Sequence, residues 1–254
     1  MQIANVRVSA RDLGQISLND FCPRCFWFTK KFPLSENHPF RSPMPGIVSQ
    51  SDSYIKRTVK THFQRTGSLP HWLIEPLSSK FDGLSFNSVR LIESKKWEHK
   101  LQLSGGQVIL VGEPDAILEF NDGSWFIADY KTASLSERQK ELLPLYEAQL
   151  NAYAYLAQCL ENKRIDGAAL VYLESEHKTE DIADDRLLER TQDQFMWGFK
   201  CSVVPVKLWA PSEVERICRS VFAILSSTRP PLGKGNCEGC QAFKEWFDGI
   251  RGYL

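Results

Sequence analysis

Two Cys-x-x-Cys pairs stand near opposite ends of this chain, Cys22 and Cys25 in FCPRCF, Cys237 and Cys240 in NCEGCQ. If the four thiols meet, the fold must close a loop of about two hundred residues and hold its ends side by side. The chain has seven cysteines, an odd count that suits a disulfide framework poorly. Cys159, Cys201 and Cys218 stand alone in apolar or amphipathic stretches, where buried thiols are common. In a reducing cytosol the two pairs predict one four-thiolate metal site rather than two disulfides. Loop-closure entropy grows slowly with length, so ligation coupled to folding would supply most of the stabilisation.

The 254 residues, 43% hydrophobic and 24% charged, are long enough to bury a sizeable core and too apolar for disorder. The 31 basic and 31 acidic residues balance, which argues against a histone-like coat for nucleic acid and leaves room for a local basic groove. No run of about 18 apolar residues appears, so no membrane span is expected. The opening MQIANVRVSARDLG lacks the basic-then-apolar pattern of a secretory signal, and a cytoplasmic location is the expectation. No GxxxxGK(S/T) loop is present. No nucleotide cofactor is therefore expected, and any coupling to ATP would come from another chain.

Along the chain, residues 16–30 predict a helix with Ser17 as its N-cap and Asp20 three positions on. A Pro-rich loop over 33–45 follows, then a helix over 51–66 with Tyr54, Ile55, Val59 and Phe63 at helical spacing. Alternation at Trp97, His99, Leu101 and Leu103 predicts a strand over 96–103, and QVILV predicts another over 107–111. Residues 115–120 and 124–131 form a hairpin about Asn121-Asp122-Gly123. After Ser134 the pattern turns helical, with Pro144 kinking that helix or starting a second one. Strands over 167–174 and 201–208 and a helix from Pro211 to Ser226 complete the plan. This is a mixed α/β arrangement in one domain over 1–254. Its core is about 51–226, and segments 16–30 and 230–250 form the cysteine site.

The chemistry concentrates in residues 112–132, GEPDAILEFNDGSWFIADYKT. Asp129 and Lys131 are two apart near the end of a strand, so they share a face with Trp125 and Ile127. An apolar face that becomes charged only at its last residues suits a site at a sheet rim, and the hairpin can bring Asp115 towards Asp129. Two carboxylates, with the Tyr130 carbonyl, are hard oxygen ligands for Mg²⁺ or Mn²⁺. A metal so held orients a phosphodiester and acidifies a water, and Lys131 can offset charge developing on phosphorus. Read only as surface salt bridges, these residues would leave their order and strand context unexplained.

Pro114-Asp115, thirteen residues, then Asp129-Tyr130-Lys131 resembles the PD-(D/E)XK nuclease superfamily. Gln149 and Tyr153, four apart on the following helix, resemble the QxxxY motif of its RecB-like branch. The resemblance implies a restriction-endonuclease-like core, a mixed central β-sheet flanked by helices, with Gln149 and Tyr153 helping to hold the site or the DNA. It also implies a further upstream ligand. His62 is the candidate, with Asp52 or Glu75 as alternatives, and Glu113 lies beside the motif. ISLNDFCPRCFWF is similar to the opening of iron–sulfur relatives, the CRISPR-adaptation and AddB-type nucleases. Their flanking cysteines, arranged one plus three, hold a [4Fe-4S] cluster. The resemblance implies a [4Fe-4S] cluster on Cys22, Cys25, Cys237 and Cys240 here, with structural Zn²⁺ as the alternative, since their two-plus-two arrangement is also the ordinary layout of a zinc site.

The expected activity is metal-dependent DNA hydrolysis at ends or single strands, exonucleolytic rather than endonucleolytic. The partners are DNA and a helicase or other nucleic-acid-processing protein. Lys56-Arg57-Lys60, Lys95-Lys96, His99-Lys100 and Arg138-Lys140, with Tyr54 and Trp97 near them, would line a single-strand groove. The competing reading is a non-catalytic nuclease-fold subunit that binds DNA for a larger complex. A thiol-redox or zinc-ribbon protein would leave the hairpin carboxylates without a purpose.

Overall fold

The computed structural model describes residues 4–33, 46–175 and 198–251. Beyond Pro33, the expected loop over 33–45 lies outside them. The chain begins with a strand that the sequence reading did not foresee, β1 (Ala4–Ser9), leading directly into α1 (Ala10–Gln15). Ser9 and Asp12 close a capping box, each side chain accepting the other's backbone N–H at 3.1 Å. The expected helix start at Ser17 is corrected: residues 16–20 form turns and a bend, and α2 runs Pro23–Lys31. Proline in the first helical position decides this start, because its missing N–H has no intrahelical partner to lose and its φ is preset.

The next helices are α3 (Gly46–Thr66) and α4 (His71–Ser78). Five strands follow: β2 (Arg90–Ile92), β3 (Trp97–Leu103), β4 (Gly106–Gly112), β5 (Ala116–Glu119) and β6 (Trp125–Lys131). A short α5 (Glu137–Glu141) precedes α6 (Leu143–Glu161), so Pro144 starts a second helix instead of kinking one. Then come β7 (Ile165–Ser175), β8 (Phe199–Val206), α7 (Pro211–Leu225) and α8 (Glu238–Arg251).

The fold is α/β with mixed sheets flanked by helices, in two sheets where one was expected. The first has the order β1-β4-β3, with β1 parallel and β3 antiparallel to β4. The second has the order β2-β5-β6-β7-β8, parallel only between β6 and β7. The division falls at 113–115, where Pro114 has no N–H to give a ladder. At Gly112 a Cβ would lie 2.7 Å from the Tyr153 ring, so only glycine lets the strand pass under α6.

Central strand β6 is buried on both faces, which explains its nearly continuous apolar run. Trp125 and Ile127 pack with Leu150 and Tyr153 of α6, whereas Phe126, Ala128 and Tyr130 pack with Val59 of α3 and Leu73 and Leu77 of α4. Helix α6 is pinned from outside by Asn151. Its amide donates to the Lys207 carbonyl at 3.0 Å and accepts from Trp209 N–H at 2.7 Å.

Helix α1 lies close enough to α6 that a Cβ on Gly14 would sit 2.3 Å from the Leu145 carbonyl oxygen. That contact is with backbone and cannot be relieved by a rotamer change. Gly14→Ala is expected to cost about 1–3 kcal/mol through forced separation of the two helices. Chemical denaturation would read this as a lower midpoint, and an unchanged midpoint would contradict the packing.

Candidate functional site

Extending the β5–β6 register one step beyond Ala116↔Ala128 sets Asp115 opposite Asp129. Asp115 is held from both sides: Oδ2 accepts the Tyr130 N–H at 2.9 Å, and Oδ1 meets Lys56 Nζ at 2.8 Å. Asp129 is 2% exposed. Its Oδ2 lies 2.5 Å from Lys131 Nζ as an ion pair without a directed hydrogen bond, and its Oδ1 accepts only a long 3.3 Å bond from Gln149 Nε2. Gln149 also donates to the Tyr153 hydroxyl at 2.8 Å, and Lys131 Nζ stands 4.3 Å over the Tyr146 ring. The motif residues Asp115, Asp129, Tyr130, Lys131, Gln149 and Tyr153 therefore form one connected set.

Electrostatics separates this carboxylate from a structural one nearby. Glu119, also buried, takes Lys163 Nζ at 2.6 Å, the Trp125 indole N–H at 3.2 Å and the Arg90 guanidinium. The bond from Lys163 leads in holding its carboxyl below the usual range. Asp129 is poorer in donors. Burial pushes its carboxyl up to about 6, with Lys131 pulling it down and the Asp115 charge pushing it further up. Asp129 is thus a buried acid short of donors beside a second carboxylate, whereas Glu119 is fully paired.

The three upstream candidates separate in space. Lys56 and Lys60 of α3 face an open cleft of about 450 Å³ lined also by Asp115, Glu93 and Tyr130. His62, six residues and about 240° round the helix from Lys56, lines a different cavity with Tyr54, Arg57 and Arg65. Glu75 pairs with His71 on the exposed side of α4. Asp52 reaches the site through Lys56, which it meets at 2.8 Å. Glu113 is exposed. The sequence reading took Lys56 only as part of a basic run, and its i, i+4 spacing from Asp52 was the available signal.

Of the aromatics expected to stack on DNA, Trp97 is corrected to a core residue. It is 3% exposed, its ring centroid is 6.3 Å from that of Trp125, and its indole donates to Glu161 at 3.3 Å. Tyr54 is exposed. Lys60 pairs with Glu93, Lys95 with Glu161 and Lys140 with Glu137.

Where the two terminal segments meet, Cys22, Cys25, Cys237 and Cys240 converge with all four sulfurs within 4.8 Å of one another, a group that could hold a metal ion. Sulfur–sulfur distances are 3.5 Å for Cys22–Cys240, 3.6 Å for Cys25–Cys237 and 3.5 Å for Cys25–Cys240. Among the described residues, this is the one group of three or more His, Cys, Asp and Glu ligand atoms so close together. The two chain segments are zipped around it: Lys234 N–H donates to Cys22 Sγ, Arg24 to the Pro231 carbonyl, and Trp27 to the Ser227 carbonyl. Phe28 stacks on Phe243 with centroids 5.1 Å apart. Desolvation opposes ionisation of Cys22, but N–H groups of Cys25 and Lys234 and the neighbouring thiols bring it down to about 6. Burial and the adjoining thiols push Cys25 up. Cys22 gives up its proton readily while Cys25 resists, as expected of thiols that need a shared cation to ionise together.

Asp129 gives a pH test of the buried site. Folding raises its pKa from 3.8 to about 6, so the folded state binds the proton more tightly. Stability then falls as pH rises across that interval, and the loss persists above it. With chelator present, Asp129→Asn is expected to gain about 1–3 kcal/mol at pH 7.5, less whatever Lys131 loses, and the gain should vanish near pH 4. Thermal melts of both proteins against pH would check it. An equal or lower melting temperature for the variant at pH 7.5 would refute the strained carboxylate.

No curated protein matches the chain in sequence. A solved structure described as the crystal structure of SSO0001 is similar over 88% of this chain and 78% of that one, at 13% identity and a TM-score of 0.40. The family model of the PD-(D/E)XK nuclease superfamily matches residues 30–244, a span that takes in both carboxylates, Lys131, Gln149, Tyr153 and two of the four clustered cysteines, Cys237 and Cys240. With most of its length matched, and with the Asp115, Asp129 and Lys131 side chains gathered at the rim of the second sheet, the chain belongs to the PD-(D/E)XK nuclease superfamily.

Proposed function

We propose that the chain is one RecB-like nuclease domain that hydrolyses DNA, at ends or on single strands, with a divalent cation at Asp115 and Asp129. The observation that carries this reading is Asp129, buried at the sheet rim with Lys131 at 2.5 Å and Asp115 across the hairpin. The donor set fits a hard cation. Asp129 Oδ2 and Gln149 Oε1 are buried oxygens without a hydrogen bond, and the Tyr130 carbonyl would add a third oxygen type. When bound, Mg²⁺ or Mn²⁺ would supply charge to polarise the phosphodiester and acidify a water.

The chain's own residues would do the rest. Lys131, fixed by Asp129 and the Tyr146 ring, meets charge developing on the phosphate. Gln149, braced by Tyr153, orients Asp129. The exposed Tyr54 and the Arg57–Arg65 cavity on the outer side of α3 offer a path for a strand leaving the cleft. Asp52 serves the site through Lys56, and His62 stays outside the ligand set.

The test is cleavage of labelled single- and double-stranded DNA with and without Mg²⁺ or Mn²⁺. Wild-type protein should cut only with the cation, and Lys131→Ala should lose about 10²–10³-fold in rate, the usual cost of removing one charge-stabilising donor. Asp115→Asn should lose at least as much while keeping its fold. Folded wild-type protein that binds DNA but never cuts, in either metal, would leave the non-catalytic DNA-binding subunit standing in its place.

For the cysteine group we propose a single structural ion, zinc. A tetrahedral Zn²⁺ with Zn–S of about 2.3 Å sets its sulfurs about 3.8 Å apart. The four sulfurs here lie within 4.8 Å of one another, which supports their sharing one ion. The cluster implied by resemblance, [4Fe-4S], is the alternative on the same four thiolates. Elemental analysis after anaerobic purification should find one zinc per chain, absent from Cys237→Ser, whose melting temperature should fall. A brown protein with about four irons would restore the cluster.

A further inference from the structure

Each carboxylate of the proposed divalent site already carries its own ammonium, Lys56 on Asp115 and Lys131 on Asp129. The two lysines are held differently. Lys131 projects from the central strand, is 18% exposed and has Asp129 as its ion-pair partner. Lys56 is 37% exposed on α3 and bridges two carboxylates, 2.8 Å from Asp115 and 2.8 Å from Asp52 one turn earlier on its helix. Its four-carbon stem can therefore swing off Asp115 without leaving the ammonium unpaired. Tyr130 N–H occupies Oδ2 of Asp115 at 2.9 Å, Lys56 sits on the other oxygen, Oδ1, and both residues line the cleft. An ammonium and a divalent ion cannot share that oxygen closely without strong repulsion.

We propose, resting on the divalent site argued from Asp115 and Asp129, that Lys56 is a built-in competitor for metal: it neutralises Asp115 in the empty site and withdraws to Asp52 when a divalent ion enters. Lys56 is thus a positioning residue that sets metal affinity, and Asp52 is its resting place. The arrangement keeps two close carboxylates folded without metal and makes the site demand more divalent ion than the bare carboxylates would. It also leaves a cation at the cleft wall, turned towards the place where a phosphate would lie.

Mn²⁺ binding to the full chain without DNA, read by the electron paramagnetic resonance signal of free Mn²⁺ at low salt, tests this directly. Lys56→Met keeps the stem and removes the charge, and should bind Mn²⁺ roughly three- to tenfold more tightly. Asp52→Asn, which removes the resting place, should bind it several-fold more weakly. Equal or weaker binding by Lys56→Met overturns the competition, as does unchanged binding by Asp52→Asn. Should Lys56→Met fail to fold, Lys56→Gln and Asp52→Asn carry the same test. Asp115→Asn distinguishes the two levels of failure. If it binds Mn²⁺ as well as wild type does, the divalent site itself is wrong and the competitor falls with it. If it loses Mn²⁺ while Lys56→Met is unchanged, the divalent site stands and Lys56 alone is refuted.

Discussion

Burial of the Asp129 carboxylate organises this molecule. A charge so far from water is costly unless it is paired, and β6 lies at the centre of its sheet with helices on both faces. Lys131 supplies the pairing two residues along the same strand, and the Tyr146 ring covers the ammonium from α6. Gln149 must then lie one turn beyond Tyr146 to reach Asp129, and Tyr153 one turn further to brace Gln149. The helix is thus oriented by a polar seam within an otherwise apolar contact. Glu119, with three donors, shows what full satisfaction looks like on the neighbouring strand. Asp129, by contrast, keeps one oxygen without a hydrogen bond and takes only a long one on the other.

The second constraint is the passage between sheets. Strand β4 cannot continue into β5, because Gly112 is pressed under Tyr153 and Pro114 cannot join a ladder. The chain crosses from one sheet to the other and emerges with Asp115 just ahead of Ala116. Antiparallel pairing then brings that residue level with Asp129. Glycine, proline and aspartate thus work as one device: the first two break a strand so that the third can stand at the rim.

Much of this was legible from local pattern. Period-two alternation correctly placed Trp125, Ile127, Asp129 and Lys131 on one face, and i, i+4 spacing correctly stacked Gln149 on Tyr153, since both follow from backbone geometry alone. Convergence of the cysteines was legible because paired thiolates need a common partner. What escaped depends on tertiary context. β1 carries only Val6 and Val8 as buried positions, too short an alternation to announce a strand, and its pairing is with β4, a hundred residues away. Trp97 was read as an exposed stacking platform because alternation tells which residues share a face, not which face meets the core. Lys56 was hidden among basic neighbours, since its meaning comes from Asp115, which approaches only when the sheet is built.

The four-cysteine group has a mechanical consequence. With an ion shared among the sulfurs, residues 22–240 become a closed ring that contains both carboxylates, Lys131 and Gln149, while β1, α1 and most of α8 hang outside it. Tension drawn through the two chain ends, as when a processive partner hauls on a tethered nuclease, would pass from one tail to the other across the metal–sulfur bonds. β1 would peel from β4 first and α8 would unwind, yet the rim holding Asp115 against Asp129 would bear no load until a thiolate let go. Such a staple would act as a strain relief for the carboxylate rim.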